Sequence, residues 1–164
     1  MKYDTIEVHL SSDVACVSMN RPEVMNALNT QMRAEITDAY KRLAPQVRVI
    51  VLTGRGKAFC SGQDLGDRAN AAQLDLERTL RDEYEPMLRA IIECQIPTIT
   101  ALNGAAAGAG ANLALASDVV IAAKSSYFMQ AFTKIGLIPD AGGTYLMPRT
   151  MGLAKAMGAA LFAE

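Results

Sequence analysis

The chain has 164 residues, 51% hydrophobic and 20% charged, with a formal net charge of -1 and a pI near 5.9. That is the size and composition of one globular domain, without the basic excess that would neutralise a nucleic-acid backbone. No run reaches the ~18 apolar residues of a membrane-spanning helix, and Met1-Lys2-Tyr3-Asp4-Thr5 lacks the apolar core of a secretion signal, so a cytoplasmic protein with no membrane and no nucleic-acid partner is expected.

Ile6–Leu10 and Val14–Met19 alternate apolar and polar residues around Ser11-Ser12-Asp13, the pattern of an antiparallel hairpin. After the loop Asn20–Asn26, Met32, Ile36, Tyr40 and Leu43 share one face of a helix beginning near Thr30 and closed by Pro45. Val49–Thr53 reads as a buried strand, and Phe59–Asp67 as a Gly-bearing loop. A long amphipathic helix carries Leu76, Leu80, Tyr84, Leu88 and Ile91 and ends before Pro97. The strand Thr98–Leu102 then empties into seven residues, Ala105 to Ala111, that are only Ala or Gly, followed by a helix to about Ala116. Val119–Ala122 is a further strand, Ile135–Thr144 a loop with a helix start, and Leu153–Glu164 a helix. The order predicts an α/β layered or spiralling fold with mostly parallel strands in one domain, residues 1–164. Because the final helix is apolar and uncapped, the chain reads as cut short at its C-terminus.

The chemistry is narrowed by what is scarce. The cysteines Cys16, Cys60 and Cys94 are unclustered, which argues against a disulfide scaffold and a zinc site, so no metal is expected. His9 is the only histidine, so a general base must come from a carboxylate, Lys, Tyr or Cys. Small residues at the Ala105–Ala111 turn permit close backbone approach, and amides opening the next helix can face negative charge, with Ala109 the candidate donor. Close packing of helix on strand would favour the same residues. Gly62 permits a tight turn that aims the Gln63 N–H outward, whereas Asp64 could equally cap a helix or close a turn. Gly108-Ala109-Gly110 is a poor dinucleotide fingerprint, since its third glycine would fall on Leu113. Cys60 between Phe59 and Ser61 reads as a buried thiol. Asp140, after the apolar run Ile135–Ile138, is either an N-cap or an acid/base whose pKa an apolar pocket would raise. Asn112 is either a site residue or a satisfied core amide.

Five motifs together resemble the crotonase, or enoyl-CoA hydratase/isomerase, superfamily: Asn20-Arg-Pro with Asn26-Ala-Leu28, Ala58-Phe-Cys-Ser-Gly-Gln-Asp-Leu65, Asn103-Gly-Ala-Ala-Ala-Gly-Ala-Gly-Ala111, Ala116-Ser-Asp118 and Ile138-Pro-Asp-Ala-Gly-Gly-Thr144. The resemblance implies a spiral of ββα units lacking a C-terminal helical region that would cover the acyl pocket and build trimers or hexamers. It implies an acyl-CoA thioester substrate, with no cofactor beyond the coenzyme A of that substrate. Gln63 and Ala109 become the two amides that polarise the thioester carbonyl. Ala27, Ser61, Asp64 and Leu65 fall where the family holds coenzyme A, and Gly108, Asn112 and Phe132 around the acyl group. Hydratases carry two glutamates at the positions of Asn112 and Phe132, and neither residue is acidic here. Asp140 matches the single carboxylate of isomerase branches, most similar to the ring-1,2-epoxyphenylacetyl-CoA isomerases, which also act as Δ3-Δ2 enoyl-CoA isomerases. The expected function is an acyl-CoA isomerase. Alternatives are an enoyl-CoA hydratase, a non-catalytic CoA-binding or assembly fragment and, last, a nicotinamide oxidoreductase.

Overall fold

The computed structural model describes residues 2–66 and 75–163. The expected hairpin is present as β1 (Ile6–Ser11) and β2 (Val14–Met19), antiparallel, with Ile6 opposite Met19. Ser12 takes the left-handed conformation its tight turn demands, φ 53°. Ala15, Val17 and Met19 point into the core, whereas β1 is the outer edge strand.

Helix α1 (Thr30–Leu43) starts where Asn29 caps it, its side chain accepting the Met32 amide at 2.8 Å. Its apolar stripe of Met32, Ile36, Ala39, Tyr40 and Leu43 is fully buried. Then β3 (Val49–Gly54), β5 (Thr98–Leu102) and β7 (Val119–Ala122) add in parallel to β2, giving the order β1-β2-β3-β5-β7.

Each of these last three strands is followed by a short strand of a second sheet. β4 (Ala58–Cys60) follows β3, β6 (Ala105–Ala107) follows β5, and β8 (Tyr127–Met129) follows β7, paired in parallel as β4-β6-β8. Helices close each unit. After β4 come α2 (Leu76–Thr79), a π-helical turn (Leu80–Tyr84) and α3 (Glu85–Ile92). After β6 comes α4 (Ala109–Ala114). After β8 come a 3-10 turn (Ala131–Ile135), α5 (Gly143–Met151) and α6 (Leu153–Phe162). The chain is thus an α/β spiral of ββα units.

Several boundaries differ from the sequence reading. The Ala105–Ala107 part of the expected turn is strand β6, paired in parallel with β4 on one side and β8 on the other, with Ala106 fully buried. A Cβ on Gly110 of α4 would run into the carbonyl oxygen and thiol of Cys60, showing how closely α4 crosses β4. Strands β4 and β8 went unpredicted, being only three residues long. The helix expected through Leu76–Ile91 is interrupted by its π turn, and the Ile135–Thr144 loop is preceded by the 3-10 turn. Asp67 and Glu164, the ends of two expected elements, lie outside the described residues.

Candidate active site

The first wall comes from the turn after β4. Leu28 and Gln63 form an isolated parallel bridge in which the Leu28 amide bonds the Gly62 carbonyl at 2.8 Å and the Asp64 amide bonds the Leu28 carbonyl at 3.1 Å. That pattern uses the neighbours of Gln63 and turns its own N–H to the opposite edge. Gly62 sits at φ +98°, and a Cβ on it would lie 2.8 Å from the Ala107 carbonyl oxygen and 3.4 Å from the Ala109 nitrogen. The Gln63 turn therefore lies directly against the start of α4.

At that start Gly108, φ 52°, donates its amide to the Met129 carbonyl at 2.8 Å and accepts those of Ala111 and Asn112 at 3.0 and 3.3 Å. The helix's own bonding thereby begins at Ala111, and the Ala109 amide falls before it. Gln63, Gly108 and Ala109 line one cleft of about 240 Å³, together with Ser61, Leu65, Phe132, Lys134 and Asp140. Phe132 is buried, and its ring is 3.8 Å from where a Gly108 Cβ would stand.

Asp140 is half-buried in the lining of that cleft and also borders a second groove of about 710 Å³ lined by Leu80, Tyr84, Leu88 and Tyr145. It is not an N-cap: the cap position of α5 is Gly142, and no side chain caps that helix. The Asp140 carbonyl accepts the Gly143 amide and the Asn112 side-chain amide, each at 2.8 Å. Burial first, and the charge of Asp140 in smaller part, push the Tyr84 phenol above its ordinary pKa.

The other expected contact residues divide. Asn112 is fully buried and is not among the residues lining the cleft; its Nδ2 donates to the Asp140 carbonyl and its Oδ1 accepts Gln130 Nε2 at 2.9 Å. Ala27 is buried, and neither it nor Asp64 lines the cleft; Arg21 Nη1 joins the two, bonding the Ala27 carbonyl at 2.7 Å and Asp64 Oδ2 at 2.6 Å. Asp64 also closes a turn by accepting the Gly66 amide at 2.8 Å. Burial pushes the Cys60 thiol up to about 12, which leaves it protonated and no nucleophile at neutral pH. Among the described residues no three His, Cys, Asp or Glu come together as a metal site, and no helix is long and apolar enough to cross a membrane.

The sequence reading missed Arg33, Glu83 and Tyr84, which meet behind Gln63. Tyr84 Oη donates to Gln63 Oε1 at 2.6 Å, and Arg33 Nη1 does so at 3.1 Å. One signal was available: Arg33, with Ile36, Tyr40 and Leu43, keeps the 3-4-3 spacing of the buried stripe of α1, a basic residue where an apolar one is expected.

The enoyl-CoA hydratase/isomerase family profile matches residues 9–164. The chain is 63% identical over 164 residues to the "Probable enoyl-CoA hydratase" of Rhodobacter capsulatus, covering all of this chain and 63% of that protein. It is 45% identical over 158 residues to the 1,2-epoxyphenylacetyl-CoA isomerase of Escherichia coli K12, covering 93% of this chain and 60% of that one. The crystal structure of an enoyl-CoA hydratase from Bacillus anthracis superposes with a TM-score of 0.93 at 31% identity, over 98% of this chain and 64% of that one. The chain thus spans under two thirds of the length of these proteins.

Proposed function

We propose, from the premise that this chain belongs to the enoyl-CoA hydratase/isomerase family, that it carries the site of an acyl-CoA isomerase working through a thioester enolate. In this reading the thioester oxygen sits between the Gln63 and Ala109 amides, and Asp140 faces the carbon skeleton across the cleft. Asp140 takes a proton from the α-carbon of a 3-enoyl-CoA, the electron pair moves onto the carbonyl oxygen, and the proton returns at the γ-carbon to give the 2-enoyl isomer. With 2-(1,2-epoxy-1,2-dihydrophenyl)acetyl-CoA, a phenylacetate-breakdown thioester, the same enolate and acid would assist epoxide opening to the ring-expanded isomer. Each oxyanion donor contributes about 2.7–4 kcal/mol of transition-state stabilisation in comparable sites. No cofactor is required beyond the coenzyme A of the substrate. The whole protein would work in the cytoplasm as a homotrimer or hexamer.

The observation that carries this reading is that, among the described residues, Asp140 is the single carboxylate lining the cleft. The positions that would hold a water-handling glutamate pair are the apolar Phe132 and the buried Asn112. Loss of one general acid or base typically costs 10²–10⁴ in rate. Hydration is the second reading, favoured by the name of the Rhodobacter capsulatus relative.

Chromatography with mass detection of the protein's products from 3-enoyl-, 2-enoyl- and epoxyphenylacetyl-CoA separates the two, since isomers differ in retention and hydrates in mass. Isomers without added water are expected, and crotonyl-CoA hydration at a normal rate would favour the second reading. Asp140→Asn should keep thioester binding and lose isomerisation by about 10²-fold or more. Undiminished turnover in that variant rejects the assignment.

A further inference from the structure

Arg33 is a cation with 2% of its side chain exposed. All five of its N–H groups are used: Nε and Nη2 on Glu83 Oε2 at 2.9 and 2.6 Å, Nη1 on the Leu28 carbonyl at 2.6 Å and Gln63 Oε1 at 3.1 Å, and Nη2 on Thr30 Oγ1 at 3.2 Å. Its guanidinium lies 4.8 Å from the centre of the Tyr84 ring. A buried ion pair is poor value for stability, since an apolar side chain of the same volume often does as well. What this one does is geometric. Leu28 and Gln63 are the two members of the bridge that sets the site turn, and Arg33 holds one by its backbone and the other by its side chain. Tyr84 supplies the second donor to Gln63 Oε1, so the side chain is drawn behind the turn. Both Glu83 and Tyr84 belong to the π-helical turn, a distortion frequently found at functional sites.

We propose that Arg33, with Glu83 as counter-ion and Tyr84 as co-donor, is a positioning residue that fixes the direction of the Gln63 amide toward the thioester oxygen. This rests on the reading of Gln63 as an oxyanion donor. The arrangement also makes the aim of that amide depend on the π turn, whose Leu80 and Tyr84 line the larger groove beside Asp140. Lysine would keep the charge but could not reach Leu28, Gln63 and Glu83 together from one ammonium.

Two variants test it: Tyr84→Phe, which removes one hydroxyl and keeps the ring, and the double variant Arg33→Met/Glu83→Gln, which removes both charges at once. The probe is an aryl-acryloyl-CoA whose absorption moves to longer wavelength when its carbonyl is polarised, read beside kcat, KM and melting temperature. Both variants should bind the probe within about threefold of wild type, lose most of the red shift and lower kcat roughly 10–100-fold at little-changed KM, the scale of a displaced donor. Arg33→Lys should recover only part of the shift. A full red shift with kcat within about twofold of wild type, in Tyr84→Phe or in the folded double variant, overturns the proposal and leaves the network a structural one. Wild-type protein that binds the probe with no red shift removes the Gln63 reading itself, a failure visible before any variant is made.

Discussion

Gly62→Ala puts the closeness of the two site turns to a direct test. The residue sits at φ +98°, a conformation L side chains rarely adopt, which costs about 1–3 kcal/mol when forced. The added Cβ would stand 2.8 Å from the Ala107 carbonyl oxygen, where ordinary contact starts at 3.4 Å, so the two turns must part by about 0.6 Å. Strain and crowding together should cost roughly 2–4 kcal/mol, or a melting temperature lower by about 5–15 °C. Displacements of this order are felt in chemistry, since 1 Å of misplacement can cost ~10²-fold in rate. With 3-enoyl-CoA, at a temperature where the variant is folded, kcat should fall about 10- to 100-fold. Gly158→Ala is the control: nothing lies within 4 Å of a Cβ there, in mid-α6, so stability should rise slightly and kcat stay put. If folded Gly62→Ala turns over at the wild-type rate, the two turns do not share a reacting oxygen.

Two further outcomes follow from buried polar groups. Asn112→Ala removes the amide to which Gln130 and the Asp140 carbonyl are bonded, and should lower stability by about 2–4 kcal/mol by thermal unfolding; an unchanged melting temperature would show that this buried bridge is idle. Burial alone would raise the Glu35 carboxyl, but hydrogen bonds from the Asp4 and Thr5 amides, the Thr5 hydroxyl and Gln31 outweigh it and hold it below its ordinary 4.5. Its contribution is therefore complete above pH 4.5 and lost as pH falls through the lower folded value. Glu35→Gln should cost about 2–3 kcal/mol near neutrality, with the gap to wild type closing in acid; a gap constant with pH contradicts the sign.

The large sheet and α1 were legible because their signals are local and long. Six-residue alternation marks β1 and β2, and a 14-residue apolar stripe marks α1. The second sheet was not, since three-residue strands such as Ala105–Ala107 carry no period and their alanines have no strand preference. Asp140 shows a different limit. Its sequence neighbourhood fits a helix cap as well as an acid, and the fall of the cap position on Gly142 removes the first of these. Asn112 could not be placed from its own surroundings either, because its partners Gln130 and Asp140 lie 18 and 28 residues away. Arg33 announced itself as a charge on an apolar face, but its target Gln63 is 30 residues on.

The second sheet is also what makes the site possible. Its strands are parallel, so their C-terminal ends lie along one edge, and each ββα unit delivers its following residues there. Cys60 of β4 is paired with Ala106 of β6, and Gln63 and Ala109 each stand three residues beyond that pair. Adjacent strands are about 4.8 Å apart, and two donors each about 2.9 Å from one oxygen can be spaced by that distance. The third unit leaves β8 at Met129 and supplies Phe132 and Asp140 to the same cleft. In the proposed reading the pairing of β4 with β6 sets the separation of the Gln63 and Ala109 amides, and the Gln63 turn, held by Arg33, sets the direction of the first.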